Sequence, residues 1–242
     1  MRTLVRTAGA WLAPLVMSSL GRWLAAFAAP QSCPGCGTRT STAEFLCAGC
    51  ETRIPKLAVP LCVRCLLEER DPAGCRRHPR GARAVAPWIY DERAALVVQA
   101  LKFGGRPRLA ERYAGAIARV LPQGYRFDMV TPVPLHAARL RERGYDQAGR
   151  LADALARKLG APLVPGVLVR SRATREQSRL NAAARRANLA GAFTIPRPEA
   201  VRGRSVLVVD DVLTTGATLD AAATALRAVG AVTLGAALAW AA

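Results

Sequence analysis

Two adjacent carboxylates, Asp210 and Asp211, stand between an apolar run and a stretch of small hydroxyl residues, in the order "VLVVDDVLTTGAT" from Val206 to Thr218. Four aliphatics in a row read as a strand buried on both faces. The alanine-rich stretch that follows has helical spacing, so a helix starts near Gly216 and its free amides point back toward the two acids. Such a helix start stabilises an anion through backbone N–H groups and the helix dipole. Thr214, Thr215 and Thr218 add hydroxyl donors, and Gly216 lets the backbone approach closely. The carboxylates cannot face a phosphate; they suit hydroxyl groups or a hydrated magnesium ion a few ångströms away. A sugar phosphate satisfies both halves of the stretch. An ordinary helix cap accounts for aspartates and threonines taken singly, but the complete order is far more specific.

A second set of chemical residues lies near the other end. All seven cysteines fall between Cys33 and Cys75. Cys33-Pro-Gly-Cys36 and Cys47-Ala-Gly-Cys50 are two CxxC knuckles, and together they supply four thiolates for one tetrahedral zinc ion. A closed four-thiolate site has no open position, so its role is structural. Cys62-Val-Arg-Cys65 and Cys75-Arg-Arg-His78 repeat the spacing with histidine in the last place, which predicts a second zinc ion; a degenerate half-site is the alternative. An odd, clustered set of this kind fits metal ligation in a reducing compartment and excludes a disulfide framework.

The elements that must position these groups follow from periodicity. Strand-like "AVAPWIYD" precedes helical "ERAALVVQALKF" and "RLAERYAGAIARVL", the second stopped by Pro122. "FDMVTPVPL" is a buried strand and "YDQAGRLADALARKLG" a helix closed by Gly160. A strand at "PGVLVRSR", a helix at "LNAAARRANLAGAF", the strand before Asp210, its helix ending at Gly230, and a last strand at "AVTLGAALAW" complete the run. Alternation of this kind predicts an α/β fold with an open, mostly parallel sheet and helices on both faces. In such sheets ligands bind beyond the carboxyl ends of strands, where Asp210 and Asp211 stand. Three regions result: an apolar, helical lead over 1–30, a cysteine-rich module over 31–82, and the α/β domain over 83–242.

Composition bounds the partners. The formal net charge is +18, carried by arginine, with only three lysines, Lys56, Lys102 and Lys158. A surplus this large favours polyanions such as nucleic acid, phosphates or anionic lipid; a genome-wide preference for arginine codons is the plainer account of the arginine-over-lysine bias. Residues 1–30 are apolar but interrupted at Gly21-Arg22, too broken for a spanning helix. They read as an amphipathic segment that packs on the protein or a membrane surface, with a signal peptide as the other reading.

The thirteen residues from Val206 to Thr218 resemble the phosphoribosyl-pyrophosphate signature of type I phosphoribosyltransferases. By that resemblance Asp210 and Asp211 contact the ribose hydroxyls, magnesium accompanies the diphosphate, and Thr214, Thr215, Gly216, Ala217 and Thr218 hold the 5-phosphate. "TPVPLHAARLRERGYDQA", with Arg139 and Arg143, is placed for the diphosphate loop, and "RSRATREQSRLNAAARRANLAGAF", with Arg175, for the mobile basic loop. These segments, with "LKFGGRPRLAE" and the N-terminal CxxC module, resemble the ComF family over nearly all of the chain after residue 30. The resemblance implies a phosphoribosyltransferase-like domain of the type I kind behind a small zinc-ribbon-like module, and a role in natural competence and DNA uptake in bacteria. It implies phosphoribosyl pyrophosphate and, together with the +18 charge, single-stranded DNA as ligands, and other DNA-uptake proteins as partners; the cysteine usage reads as a cytoplasmic location, and the apolar segment 1–30 as a peripheral membrane contact. The family's usual RGFNQA stands here as Arg143-Gly-Tyr-Asp-Gln-Ala148. Transferase turnover stays open: no general base is evident, and only one helix and one strand follow the signature, so any hood over a nucleobase must come from 83–127 and the cysteine module. A phosphoribosyltransferase of nucleotide metabolism or salvage, with no DNA role, is the alternative.

Overall fold

The computed structural model describes residues 32–40, 44–57, 60–67, 75–103, 107–135, 146–171 and 182–241. The apolar lead over 1–30 lies outside them, as do Arg139, Arg143 and Arg175. In chain order come α1 (Ala48–Thr52), β1 (Leu61–Cys62), β2 (Arg83–Val85), β3 (Trp88–Ile89), α2 (Glu92–Phe103), α3 (Pro107–Val120), β4 (Met129–Pro132) and α4 (Gln147–Leu159). Then follow β5 (Val169–Arg170), α5 (Ala182–Leu189), β6 (Phe193–Thr194), a 3₁₀ turn (Pro198–Ala200), β7 (Ser205–Val209), β8 (Val212–Leu213), α6 (Ala217–Ala228), β9 (Val232–Ala236) and β10 (Ala239–Trp240).

The main sheet has the order β1-β2-β9-β7-β4. Its last four strands run parallel, and β1 closes the edge antiparallel to β2. Three neighbouring strands, β2, β9 and β7, each stop for two residues and resume as β3, β10 and β8 in a parallel three-stranded sheet of the same order. The interruptions are Ala86-Pro87, Ala237-Leu238 and Asp210-Asp211. Backbone bonds bridge the break: Asp210 N–H donates to the Ala236 carbonyl at 2.9 Å, and Leu238 N–H to the Asp211 carbonyl at 3.0 Å. The strands that periodicity reads as single runs are therefore split at one level, and the two acids occupy the split between β7 and β8.

Residues alternate across β7 as a two-residue period demands. Leu207 and Val209 face a core with Val97, Ile117, Leu151 and Leu155 from α2, α3 and α4. Val206 and Val208 face the opposite core with Leu219, Ala223 and Leu226 of α6. All four are fully buried, which stabilises the fold by about 1.5–3 kcal/mol for each side chain. Helix α4 ends where Gly160 turns left-handed at φ 64°, a conformation that glycine adopts without penalty. Among the described residues, short β5 and β6 pair only with each other, as an antiparallel ribbon apart from both sheets. Among the described residues no helix is long and apolar enough to cross a membrane.

Candidate functional site

The break after β7 opens into a cleft of about 340 Å³, within the range of small-molecule sites. Asp210, Asp211, Val212, Thr214 and Thr218 line it, so the structure brings five of the signature residues to one place. The acids are held by their own loop: Asp211 N–H donates to Asp210 Oδ1 at 2.8 Å, and Val212 N–H to Asp211 Oδ1 at 2.7 Å. The outer oxygen of Asp211 meets two side chains from distant elements. Lys102 Nζ, in the last turn of α2, lies 3.4 Å from Oδ2, and Gln147 Nε2, at the start of α4, donates to it at 3.3 Å. Tyr90 and Arg170 also face the cleft, the latter from the β5–β6 ribbon.

Burial, and then the neighbouring Asp211, push the Asp210 carboxyl up to about 7. Lys102 pulls it the other way without cancelling either effect. Burial also raises Asp146 and the Tyr90 phenol, each with a further push from Asp211. The cleft thus gathers acidic groups with Lys102 paired to one of them, and Arg170 lines it as a second cation. A ligand that brings hydroxyl donors or a cation to the acids and phosphate groups to the basic side chains matches both signs.

Gly216 turns out to be needed for another reason as well. It is buried at φ 70°, and a Cβ there would lie 1.9 Å from the Val63 carbonyl oxygen. The backbone that approaches is the turn between Cys62 and Cys65. Ala217 is buried in the first turn of α6, whose start has no side-chain cap.

The cysteines assemble as two groups. Cys33, Cys36, Cys47 and Cys50 place their sulfurs within 4.8 Å of one another, and so do the ligand atoms of Cys62, Cys65, Cys75 and His78. Tetrahedral arms of about 2.3 Å set sulfurs about 3.8 Å apart. Cys36 and Cys47 sulfurs stand 3.5 Å apart, and Cys65 and Cys75 sulfurs 3.7 Å. His78 Nδ1 lies 3.8 Å from both Cys62 and Cys75. A disulfide would need about 2.05 Å, and all seven thiols are free. Each group can therefore hold one metal ion. The first is anchored on the α2–α4 side by Phe45, Leu46 and Ile54 and by Arg112, whose Nη2 meets Glu51 at 2.7 Å. The second is anchored on the α6 side by Leu61 and Val63.

Sequence reasoning singled out neither Lys102 nor Gln147 as a cleft residue, although one signal was present: Lys102 is a rare lysine in a chain that otherwise uses arginine. Tyr90 and Lys102 come from the 83–127 stretch expected to supply a hood, whereas no described residue of 31–82 lines the cleft. Arg139, Arg143 and Arg175 lie outside the described residues.

A family model for the phosphoribosyl transferase domain matches residues 145–242. DNA utilization protein YhgH of Escherichia coli O157:H7 is 30% identical over 93% of this chain and 92% of its own length. The YhgH protein of Salmonella typhimurium is 34% identical over 78% of this chain and 87% of its own. Competence protein F of Haemophilus influenzae is 31% identical over 76% and 85%.

Proposed function

The chain belongs to the family of DNA utilization protein YhgH and competence protein F, and from that footing we propose that it binds phosphoribosyl pyrophosphate at the acidic cleft and single-stranded DNA on its arginine-rich surface, in bacterial DNA uptake. The observation that carries the ligand is the split between β7 and β8: two carboxylates, a hydroxyl-lined loop and an uncapped helix start share one cleft with Lys102 and Arg170. In this reading the ribose hydroxyls donate to Asp210 and Asp211, and the 5-phosphate sits on Thr214 and Thr218 at the start of α6. The loop backbone from Thr215 to Ala217 completes that seat, and Arg139, Arg143 and Arg175 contribute charge from outside the described residues. Magnesium, bound with the diphosphate, would neutralise charge there. The acids would hold the sugar and water around it, with Lys102 paired to Asp211.

The cysteine sets, four thiolates in one and three thiolates with an imidazole in the other, suit zinc in closed structural sites. The DNA reading rests on the relatives' names and on the +18 charge. Arg77 and Arg80 are exposed beside the second cysteine set, where they could meet phosphates. Calorimetric titration of phosphoribosyl pyrophosphate, with and without magnesium, tests the ligand. The double replacement Asp210→Asn, Asp211→Asn should weaken binding at least tenfold, since a hydrogen bond to a charged group contributes about 1.5–3 kcal/mol. Unchanged affinity in a folded variant would sink the assignment.

A further inference from the structure

The turn between Cys62 and Cys65 forms the back wall of the hydroxyl loop. The Val63 carbonyl occupies the space that a side chain on Gly216 would fill. Next to it, Arg64 Nε donates to Asp220 Oδ2 at 2.8 Å, and Ala82 N–H donates to the other oxygen of that carboxylate at 3.2 Å. Asp220 lies in the first turn of α6 and is only 8% exposed, an unusual place for an acid unless it is paired. Arg186, on α5, donates from Nη2 to the Arg64 carbonyl at 2.6 Å. Val63 itself is fully buried, and its N–H donates to the Ala82 carbonyl at 2.9 Å. Three separate segments therefore converge on a four-residue turn: the start of α6 from Gly216 to Asp220, the approach to β2 at Ala82, and α5.

The second ligand set brackets that turn. Cys62 and Cys65 begin and end it, and Cys75 and His78 close the set from the next segment. Gly81 lets this segment pack closely, since a Cβ there would lie 3.0 Å from His78 and 3.1 Å from the Cys62 sulfur. The first ligand set leans instead on α3 through the Arg112–Glu51 pair.

We propose that the metal ion held by Cys62, Cys65, Cys75 and His78 positions the loop from Thr214 to Thr218, with Val63 and the Arg64–Asp220 pair as the link, so that loading of this site and not of the first sets how well the cleft holds a phosphorylated ligand. Only the last clause rests on the ligand reading; the link between metal and loop does not. Asp220 and Arg64 act as positioning residues, through the loop and not on the ligand.

Hydrogen–deuterium exchange of the full chain, without ligand, tests the link directly. The proteins compared are wild type, His78→Ala, His78→Cys and Cys36→Ser, each with its metal content measured. His78→Ala should lose one metal ion and raise exchange across 213–221 at least tenfold. His78→Cys keeps four ligands and should restore wild-type exchange. Cys36→Ser should lose the other ion with 213–221 unchanged. If His78→Ala does not fold, Asp220→Asn, with both ions retained, must raise exchange in the same segment. Unchanged exchange in the variant that carries the test, or an equal rise in Cys36→Ser, overturns the proposal. Calorimetry with phosphoribosyl pyrophosphate on the same proteins should show at least tenfold weaker binding for His78→Ala. A wild-type protein that binds no phosphoribosyl pyrophosphate removes the ligand reading, while the exchange result still decides the link.

Discussion

Replacing Asp210 with asparagine should stabilise the fold while it weakens the site, and the pH dependence of both effects follows from one carboxyl group. Burial and Asp211 hold that group at about 7 against an ordinary 3.8. The gap corresponds to a ceiling of about 4 kcal/mol. Between these two values the unfolded chain has released the proton and the folded protein keeps it. Wild-type stability therefore falls as pH rises from about 4 to about 7, then levels off. Asparagine has nearly the same shape, and its carbonyl oxygen can accept the 2.8 Å bond from the Asp211 N–H. It does not titrate, so the variant lacks this fall. The two proteins should have similar melting temperatures near pH 4. They should diverge up to pH 7, and at about 2–4 °C per kcal/mol for a chain of this size the gap should reach several degrees. Scanning fluorimetry from pH 4 to 8, without magnesium or ligand, reads the difference, and groups with no charge coupling to Asp210 cancel. Ligand binding should move the other way. If the ionised acid takes the ribose hydroxyls, wild-type affinity should fall up to tenfold per pH unit below 7, and the variant should bind weakly throughout. A melting-temperature gap that stays constant across the range, or a variant less stable than wild type at pH 8, would refute the assignment of the raised value to Asp210.

Two further expectations concern the metal ions and DNA. Elemental analysis of protein purified without chelator should give about two zinc ions per chain, from the two ligand sets; a folded protein with no zinc would remove both sites. Fluorescence anisotropy with a labelled single-stranded oligonucleotide should show binding with little sequence preference. Its affinity should drop steeply with salt, because each neutralised phosphate releases counterion, and a flat salt series would remove the DNA reading.

The strand, the acid pair and the helix start are legible in the sequence because they form one contiguous pattern: Val206 to Val209 stay buried whichever elements surround them, and the threonine-rich loop needs no distant partner to be recognised. The cysteine sets are legible for a related reason, since ligand spacing within each knuckle is local. The two-residue breaks are only partly legible: Pro87 cannot donate a ladder bond and marks one of them, whereas Ala237-Leu238 carries nothing that sets it apart from the strands on either side. As a set they become visible only when three strands are laid in register. Lys102 and Gln147 escape for a different reason. Each sits on an ordinary helical face, and it is the packing of α2 and α4 against the sheet that delivers both to the same oxygen of Asp211.

Gly216 shows how one residue can satisfy a local reading and a tertiary one at once. Its place in the loop is explained by a ligand that needs close backbone approach, and that reading requires nothing from residues before 83. Yet its φ of 70° and the Val63 carbonyl, which would lie 1.9 Å from a Cβ, make glycine necessary with no ligand at all. The same holds for Asp220, which inside "GATLDAA" reads as an ordinary acid in a helix's first turn and in the fold grips Arg64 and the Ala82 amide. Both residues lie in the stretch around the hydroxyl loop, and both partners lie in or beside the second cysteine set. A loop built only to hold a phosphate would not need a buried acid facing away from the cleft. A cysteine turn built only to close a small metal module would not need to push its carbonyl into a neighbouring loop. The contacts are explained together if the two parts form one mechanical unit, with the metal-bound turn as the rigid half.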